Sequence, residues 1–184
     1  MRCCLLAICC GCLPVMLLGP LRAEDTTATG SALSAAEAKE LVALHNAARD
    51  EVKVPAVRWS PTLAKHAQAW ADELARSGKF EHRPSDGEWA SRFGENIALG
   101  SGDGFDAAAG CRLWLKERED YVADAPLSDD LSELRTGHYT QIVWRGTTHI
   151  GAGRAVLQTG EMKGWTVIVC NYDPPGNARG EKPF

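Results

Sequence analysis

Two amphipathic helices are predicted in the first part of the chain. The capping-box pattern Ser34-Ala-Ala-Glu37 predicts a helix start, and the apolar stripe behind it continues the helix to about Val52. Ser60-Pro61 predicts a second start, with serine as the cap and proline in the first turn. Apolar residues then recur at helical spacing until Gly78, a residue typical of helix ends.

The middle of the chain has weaker periodicity. Lys79 to Gly104 is rich in glycine, serine, proline and charge, and it is long for a connection without structure of its own. It therefore predicts a functional loop or one short helix. A third helix is predicted from Asp106 to about Tyr121. The polar, acidic stretch from Ala123 to Thr136 is interpreted as a surface excursion.

Three strands are predicted after this excursion, at His138–Trp144, about His149–Gln158 and Trp165–Tyr172. The first alternates, with His138 and Trp144 on one face, and the turn residues between the last two predict a hairpin. Helices followed by an antiparallel sheet indicate an α+β fold, a three-layer α-β-α sandwich with a central antiparallel sheet.

The N-terminus has the pattern of a secretory signal. Residues 1–23 combine an early arginine, an apolar run and a small residue, Ala23, at the predicted cleavage site. The alternative is a membrane anchor, but the run is short for a span and is interrupted by Gly11 and Pro14. We predict a signal peptide at 1–23, a flexible segment at 24–33 and one domain at 34–184. The mature protein would then be extracellular, with no transmembrane span.

The net charge of the chain argues against one class of partner, nucleic acid. The chain has 20 basic and 24 acidic residues. Removal of Arg2 and Arg22 with the signal leaves 20 − 2 = 18 basic residues, a formal charge of −6. A mildly acidic domain argues against nucleic acid as the partner.

Most cysteines of the chain lie in the predicted signal peptide, with five of the seven in the first dozen residues. The remaining two, Cys111 and Cys170, are candidates for a disulfide in an oxidising compartment. Two buried thiols are the alternative, and the sequence leaves both open.

Four polar residues are candidates for one site: His82, Glu95, Glu117 and His138. Glu117 shares a predicted helix face with aromatic neighbours three and four residues away, where a lone buried charge would be costly. Each of the four also has an ordinary interpretation. The glutamates would be solvated or capping residues, and the histidines a loop residue and a hydrogen-bonded strand residue.

Two histidines and two glutamates together would suit a divalent metal such as Zn²⁺ or acid–base chemistry. The spacing contains no HExxH and no GxSxG motif, so no local signature supports either use. His45, His66 and His149 are interpreted as structural or exposed residues.

Several motifs are specific enough to indicate a family. GENIA, GHYTQIVW and the ending CNYDPPGN, with HNAAR at His45–Arg49, resemble the CAP superfamily of cysteine-rich secretory, antigen five and pathogenesis-related proteins. The resemblance runs from about Ser34 to Phe184 and is nearest in character to the plant pathogenesis-related branch. The family pattern has a cysteine after the second strand that is missing here, which leaves Cys170 without its usual partner.

The resemblance implies a secreted α-β-α sandwich with a central cavity. Two histidines and two glutamates line that cavity in the family, and these fall on His82, Glu95, Glu117 and His138. It further implies that a divalent cation such as Zn²⁺ can be held chiefly by the two histidines.

Function is expected to be binding of a lipid, such as a sterol or fatty acid, or of an extracellular protein. An exposed apolar loop would serve this role, and Trp89, Phe93 and Phe105 are candidates, with ordinary packing as the alternative. A second hypothesis is a metal-assisted hydrolase of the peptidase type in which Glu95 or Glu117 is the base. A third is that the four residues form a polar core that only organises the fold.

Overall fold

The computed structural model describes residues 29–122 and 135–184. The predicted signal peptide and most of the predicted surface excursion at 123–136 lie outside this range. The elements, in chain order, are α1 (Ala35–Glu51), β1 (Arg58–Trp59), α2 (Pro61–Ser77), β2 (Gly94–Gly100), α3 (Ala107–Lys116), a 3-10 turn (Glu117–Asp120), α4 (Gly137–Ile142), β3 (His149–Val156) and β4 (Thr166–Asp173). None of the helices in the described part of the chain has the length and apolar character needed to cross a membrane.

The first two helices begin and end where their capping residues predict. Ser34 and Glu37 form a complete capping box, with the Ser34 side chain accepting from the Glu37 amide and the Glu37 carboxylate accepting from the Ser34 amide. Ser60 caps α2 through its side chain, and Gly78 ends that helix in the left-handed conformation, with φ of 71°.

The described end of the predicted flexible segment packs against the domain. Leu33 is fully buried, Thr29 is 3% exposed, and the Trp59 indole donates a hydrogen bond to the Thr29 carbonyl at 3.0 Å. Residues 29–33 therefore pack on the domain that follows them.

The strands form one sheet in the order β1-β3-β4-β2. The predicted hairpin is confirmed, since β3 and β4 pair antiparallel from His149↔Asp173 to Val156↔Thr166. β2 pairs antiparallel with β4, but the two-residue β1 runs parallel to β3. The sheet is thus antiparallel across β2, β4 and β3, as predicted, and mixed overall because of its short parallel edge strand.

Helices cover both faces of the sheet, as predicted for a three-layer sandwich. α2 packs over one face, where its Leu74 forms a core with Ile97 and Val169 of the sheet. α1, α3 and α4 cover the other face, in a core that includes Leu41 and Trp114. Gly151 and Gly153 allow α2 to approach closely, because a Cβ at these positions would lie 2.2 Å from the Ala64 nitrogen and 2.4 Å from the Gln68 Cα.

The predicted strand at His138–Trp144 is wrong, because its first part is the helix α4. Four consecutive residues, Tyr139 to Ile142, are all buried. Strand alternation would have brought only every second one into the core. Six residues are too few for a helix that is stable alone, so contacts from other segments determine this conformation.

Two further boundaries differ from the prediction. The loop predicted at Lys79 to Gly104 contains β2, whose central residues Asn96 to Ala98 are buried between helix layers. The third helix ends at Lys116 rather than near Tyr121, and the chain continues as a 3-10 turn that begins with Glu117.

A buried chain of polar groups links α1, β4, β2 and α4. His45 Nδ1 donates to the Leu41 carbonyl at 2.8 Å, so its Nε2 accepts from the Tyr172 hydroxyl at 2.9 Å. The Asn96 amide donates both to that hydroxyl, at 2.9 Å, and to the His138 carbonyl, at 3.1 Å. Complete burial lowers the pKa of His45 to about 4, so the ring is neutral at physiological pH.

Arg49 is a fully buried cation whose hydrogen bonds go to carbonyl groups. Its guanidinium donates to the carbonyls of Pro55, Ile142, Trp144 and Thr147 at 2.7 to 2.9 Å. No carboxylate among the described residues forms an ion pair with it. Desolvation lowers its pKa to about 10, which leaves it charged. The carbonyls of Ile142 and Trp144 lie at or just after the C-terminal end of α4, where a positive charge is favourable.

Cys111 and Cys170 are buried free thiols in the structure, the second of the two alternatives left open by the sequence. Burial raises the pKa of Cys111 to about 12 and that of Cys170 further. Neither thiol therefore has the thiolate character of a nucleophile.

We predict that His45 makes folding stability depend on pH. Because its pKa falls from 6.5 to about 4 on folding, the unfolded chain binds a proton between these values that the folded chain does not. Stability is full above pH 6.5, decreases as the pH falls to about 4, and loses about 3 kcal/mol from this group. Urea unfolding at pH 7.5, 6, 5 and 4 measures the slope.

The His45→Gln variant is the control for this slope. It should be less stable than the wild type at pH 7.5 but should lose less stability on acidification. Identical pH slopes for the two proteins would show that His45 does not carry the effect.

Candidate functional site

His82 and Glu95 form the first half of the candidate site. His82 Nδ1 lies 2.8 Å from Glu95 Oε1, and the Arg83 backbone amide donates to the same oxygen at 3.0 Å. The Glu95 side chain is 9% exposed, and its other oxygen, Oε2, is buried without a hydrogen-bond partner among the described residues. β2 positions Glu95, while His82 lies on the connection that precedes it.

His138 and Glu117 form the second half. His138 Nδ1 lies 2.6 Å from Glu117 Oε1. Glu117 Oε2 accepts from the backbone amides of His138 and Tyr139, at 2.9 and 3.1 Å. These amides belong to the first turn of α4, whose N-cap residue Thr136 makes no side-chain capping bond. Glu117 therefore serves as the cap of α4 from a different segment.

The two pairs face one another through their histidines. The ring centroids of His82 and His138 lie 6.4 Å apart with an interplanar angle of 29°, and Trp114 stacks on His138 at 6.2 Å. The Trp114 indole is fixed by a hydrogen bond to the Ile97 carbonyl at 3.0 Å. All four residues selected from the sequence are thus brought together, from four different segments.

The two glutamates are not equivalent. Both oxygens of Glu117 are occupied by donors, which gives this carboxylate a positioning role on His138 and α4. Glu95 has one occupied oxygen and one free buried oxygen. A buried polar atom without a partner is unfavourable, so Oε2 is the atom of the site that most needs a water molecule, proton or cation.

The histidines are oriented as metal ligands commonly are. Each directs Nδ1 to a carboxylate, which leaves Nε2 as the nitrogen available to a cation. Within residues 29–122 and 135–184, however, no three His, Cys, Asp or Glu side chains form a group that could hold a metal ion. The two imidazole Nε2 atoms are therefore the candidate donors of this site, and a cation held by them would take its other ligands from water.

Arg83 is a residue of this region that sequence reasoning missed. Its guanidinium lies over the rings of Trp70 and Trp89, at 5.4 and 5.6 Å, and donates to His66 Nε2 at 3.0 Å. His66 Nδ1 in turn donates to the Asn171 side-chain oxygen at 3.0 Å. Its place next to His82 in the sequence was the available signal, because the spacing to Trp70 and Trp89 does not predict that their rings lie against the guanidinium.

The other three histidines agree with their predicted roles. His45 is buried in the core, and His149 is exposed at the start of β3. His66 is half-buried, and burial lowers its pKa. Because its Nε2 accepts a bond from a guanidinium, the neutral ring is the form that this arrangement stabilises.

The three aromatic candidates for an exposed loop do not form an apolar patch. Trp89 packs on Trp70 at 5.6 Å, and Phe93 packs edge-on against His66 at 5.0 Å. Phe105 is half-buried against Gly100, where a Cβ would lie 2.2 Å from its ring. Ordinary packing under the connection, the alternative interpretation, describes all three.

An apolar groove lies elsewhere, between the first half of α1 and the edge strand β1. Its volume is about 470 Å³, within the range of small-molecule sites. Most of its surface is apolar, and two cationic residues, Lys39 and Arg58, also line it. The other lining residues are Thr29, Ala35, Ala38, Val42, Val57 and Trp59.

Comparisons with known proteins agree on one family. A family model described as "Cysteine-rich secretory protein family" (CAP) matches residues 42–172. The chain is 40% identical to "Pathogenesis-related protein 1A" of Nicotiana tabacum, over 76% of each chain. It is 32% identical to "Pathogenesis-related protein 1" of Arabidopsis thaliana, over 91% of this chain and 88% of that protein. The solved structure of BmVAL-1 shares the fold, with a TM-score of 0.66, 22% identity and 84% of each chain covered.

We predict that the two glutamates differ in their effect on stability. Glu117→Gln puts an amide where a carboxylate accepts three donors, and it should lower the free energy of unfolding by about 2 kcal/mol. Glu95→Gln can keep its bonds through the amide oxygen and should cost about 1 kcal/mol or less. Chemical denaturation of both variants measures the difference, and equal losses would contradict the capping role of Glu117.

Proposed function

The chain belongs to the CAP family of cysteine-rich secretory proteins, and we propose that it is a secreted protein that holds a divalent cation at His82 and His138. Within the family it is similar to plant pathogenesis-related members. The signal pattern of residues 1–23 supports secretion. The observation that carries the cation proposal is that each histidine has one nitrogen bound to a glutamate, while its other nitrogen has no hydrogen-bond partner among the described residues.

The chemistry of this donor set favours Zn²⁺. Neutral imidazole is a good zinc ligand, and a carboxylate that accepts from the other ring nitrogen fixes the tautomer and raises the basicity of the ligand. The roles of the four residues therefore divide. His82 and His138 would be the ligands, Glu117 would orient His138, and Glu95 would orient His82.

The hydrolase alternative depends on Glu95. A bound cation of this kind supplies a polarised water molecule. Glu95 Oε2 is buried and free of partners among the described residues, so it could accept a proton from such a water, whereas both oxygens of Glu117 are occupied. The free thiols are too deeply buried to act as nucleophiles. If the protein hydrolyses peptides, Glu95 is the base that the geometry favours.

The apolar groove supports lipid binding as a second function. A groove with apolar walls and two cationic residues matches a long-chain carboxylate, such as a fatty acid, better than an uncharged sterol. The ligand would lie between α1 and β1, with its carboxylate near Lys39 and Arg58. This site shares no residue with the histidine pair, so the two functions are independent.

Zinc titration by calorimetry tests the cation proposal. The chain from Glu24 to Phe184 should bind one Zn²⁺ at pH 7.5, and His82→Ala/His138→Ala should remove this binding because both protein ligands are lost. His149→Ala is the matched control, since it removes an exposed histidine outside the site. Binding that persists in the double variant, or that is absent from the wild type, would reject the proposal. Peptide hydrolysis is then measured in wild type and Glu95→Gln with zinc present.

Displacement of a fluorescent fatty acid tests the groove. Lys39→Glu/Arg58→Glu should weaken binding at least about tenfold, because it places two negative charges beside the carboxylate of the ligand. Lys65→Glu/Lys163→Glu, at exposed positions of α2 and of the β3–β4 turn, is the matched control, because it changes the net charge by the same amount. Equal affinity in all three proteins would exclude the groove. A sterol that competes equally well with both variants would instead indicate an uncharged ligand.

A further inference from the structure

The helix that carries His138 depends on the C-terminal residues of the chain. α4 has six residues and no capping bond from its own N-cap side chain. Glu117 binds the amides of its first turn, but the carbonyl of Gly137, the residue before His138, is held from elsewhere. That partner is Asn177, forty positions away in the sequence.

Asn177 binds the first turn of α4 at two points. Its side-chain amide donates to the Gly137 carbonyl at 2.9 Å, and its side-chain oxygen accepts from the Thr140 hydroxyl at 2.8 Å. Thr140 is fully buried, and its hydroxyl also lies 3.2 Å from the Gly137 carbonyl. Asn177 thereby links the backbone just before His138 to the Thr140 side chain just after it.

We propose that Asn177 is a positioning residue for His138, and that the segment from Pro174 to Phe184 is a strap that holds α4 in place. The proposal deepens the proposed function, since it concerns the same histidine and rests on the cation site for its zinc readout. The hydrogen bonds of the Asn177 side chain go to Thr140 and Gly137 and not to an imidazole ring. It acts through the backbone that fixes where the His138 ring starts.

The rest of the strap supports this role. The Gly176 amide donates to the Gln141 side chain at 3.0 Å, and the Arg145 amide donates to the Pro183 carbonyl at 2.7 Å. The ring of Phe184 packs on Tyr121, which in turn packs on Tyr139 of α4, at 5.6 and 5.5 Å. Both ends of the strap are therefore fixed to α4, to the turn that follows it, or to a ring packed on it.

The backbone at position 177 explains the residue type. Asn177 has φ of 55°, in the left-handed region that asparagine tolerates better than most residues with a side chain. Glycine would allow this conformation but would supply neither hydrogen bond. Aspartate would keep an acceptor for Thr140 but would set a carboxylate oxygen against the Gly137 carbonyl. Asparagine alone combines a donor, an acceptor and tolerance of positive φ at this size.

The test compares Asn177→Gly with Asn46→Ala by nuclear magnetic resonance of the histidine rings. Asn46 is a matched control because its side chain also makes one donated and one accepted hydrogen bond, to the Val57 carbonyl and from the Val57 amide, away from α4. We expect Asn177→Gly to shift the ring signals of His138 while those of His149 stay unchanged. Asn46→Ala should leave both unchanged.

Zinc affinity gives the second readout. Asn177→Gly should weaken zinc binding about tenfold, as changes behind a ligand commonly do, and Asn46→Ala should leave it unchanged. If wild type binds no zinc, the proposed function fails, and the His138 signals still decide the role of Asn177. If Asn177→Gly keeps the His138 signals and the zinc affinity of wild type, the strap is structural only and the proposal is overturned.

A second pair of variants covers the case in which Asn177→Gly does not fold. Thr140→Val removes the hydroxyl that Asn177 accepts from and keeps the shape of the side chain, whereas Thr140→Ser keeps the hydroxyl. Thr140→Val should reproduce the change in the His138 signals, and Thr140→Ser should retain the wild-type signals. The same signals in both variants would overturn the proposal.

Discussion

A helix too short to be stable alone carries one half of the candidate site, and much of the surrounding structure serves to hold it. The Glu117 carboxylate accepts hydrogen bonds from backbone amides in the first turn of α4, which has six residues. The Arg49 guanidinium donates to the carbonyl at its C-terminal end. Asn96 fixes the His138 carbonyl from β2, and Asn177 fixes the turn from the C-terminal side. Because an isolated helix of this length has almost no stability, its conformation is a property of these partners. The position of His138 is therefore decided by four segments at once.

The interior next to α4 contains two buried basic residues, Arg49 and His45, that are stabilised in different ways. Arg49 is charged and fully buried, yet carbonyl groups rather than a carboxylate satisfy it. The neighbouring His45 avoids the same cost by remaining neutral, with both ring nitrogens bound. Buried polar groups are tolerable only when each has its partner, so this core ties α1 to α4 and to the sheet with little freedom to rearrange.

Within the site, similar residues have acquired different tasks. The histidines face one another, whereas the glutamates stand behind them, and Glu95 has an oxygen without a partner in the described part of the chain. A symmetric set of four ligands would require both carboxylates to turn inward, at the expense of the cap on α4 in the case of Glu117. The arrangement instead resembles two oriented imidazoles with carboxylates behind them, a division that follows from local hydrogen bonding and is independent of any bound cation.

Elements with local signals could be predicted from the sequence alone. Ser34 with Glu37 and Ser60 with Pro61 place two helix starts, and turn residues place the β3–β4 hairpin, because caps and turns are decided by neighbours in the chain. Spacing alone supports the grouping of the four site residues only weakly, and the resemblance to a family strengthens that prediction. The helical conformation of GHYTQI and the strand conformation of GENIALG could not be predicted locally and are seen in the tertiary structure. Both segments owe their conformation to partners more than twenty positions away, and a local pattern carries no information about hydrogen bonds that distant residues supply.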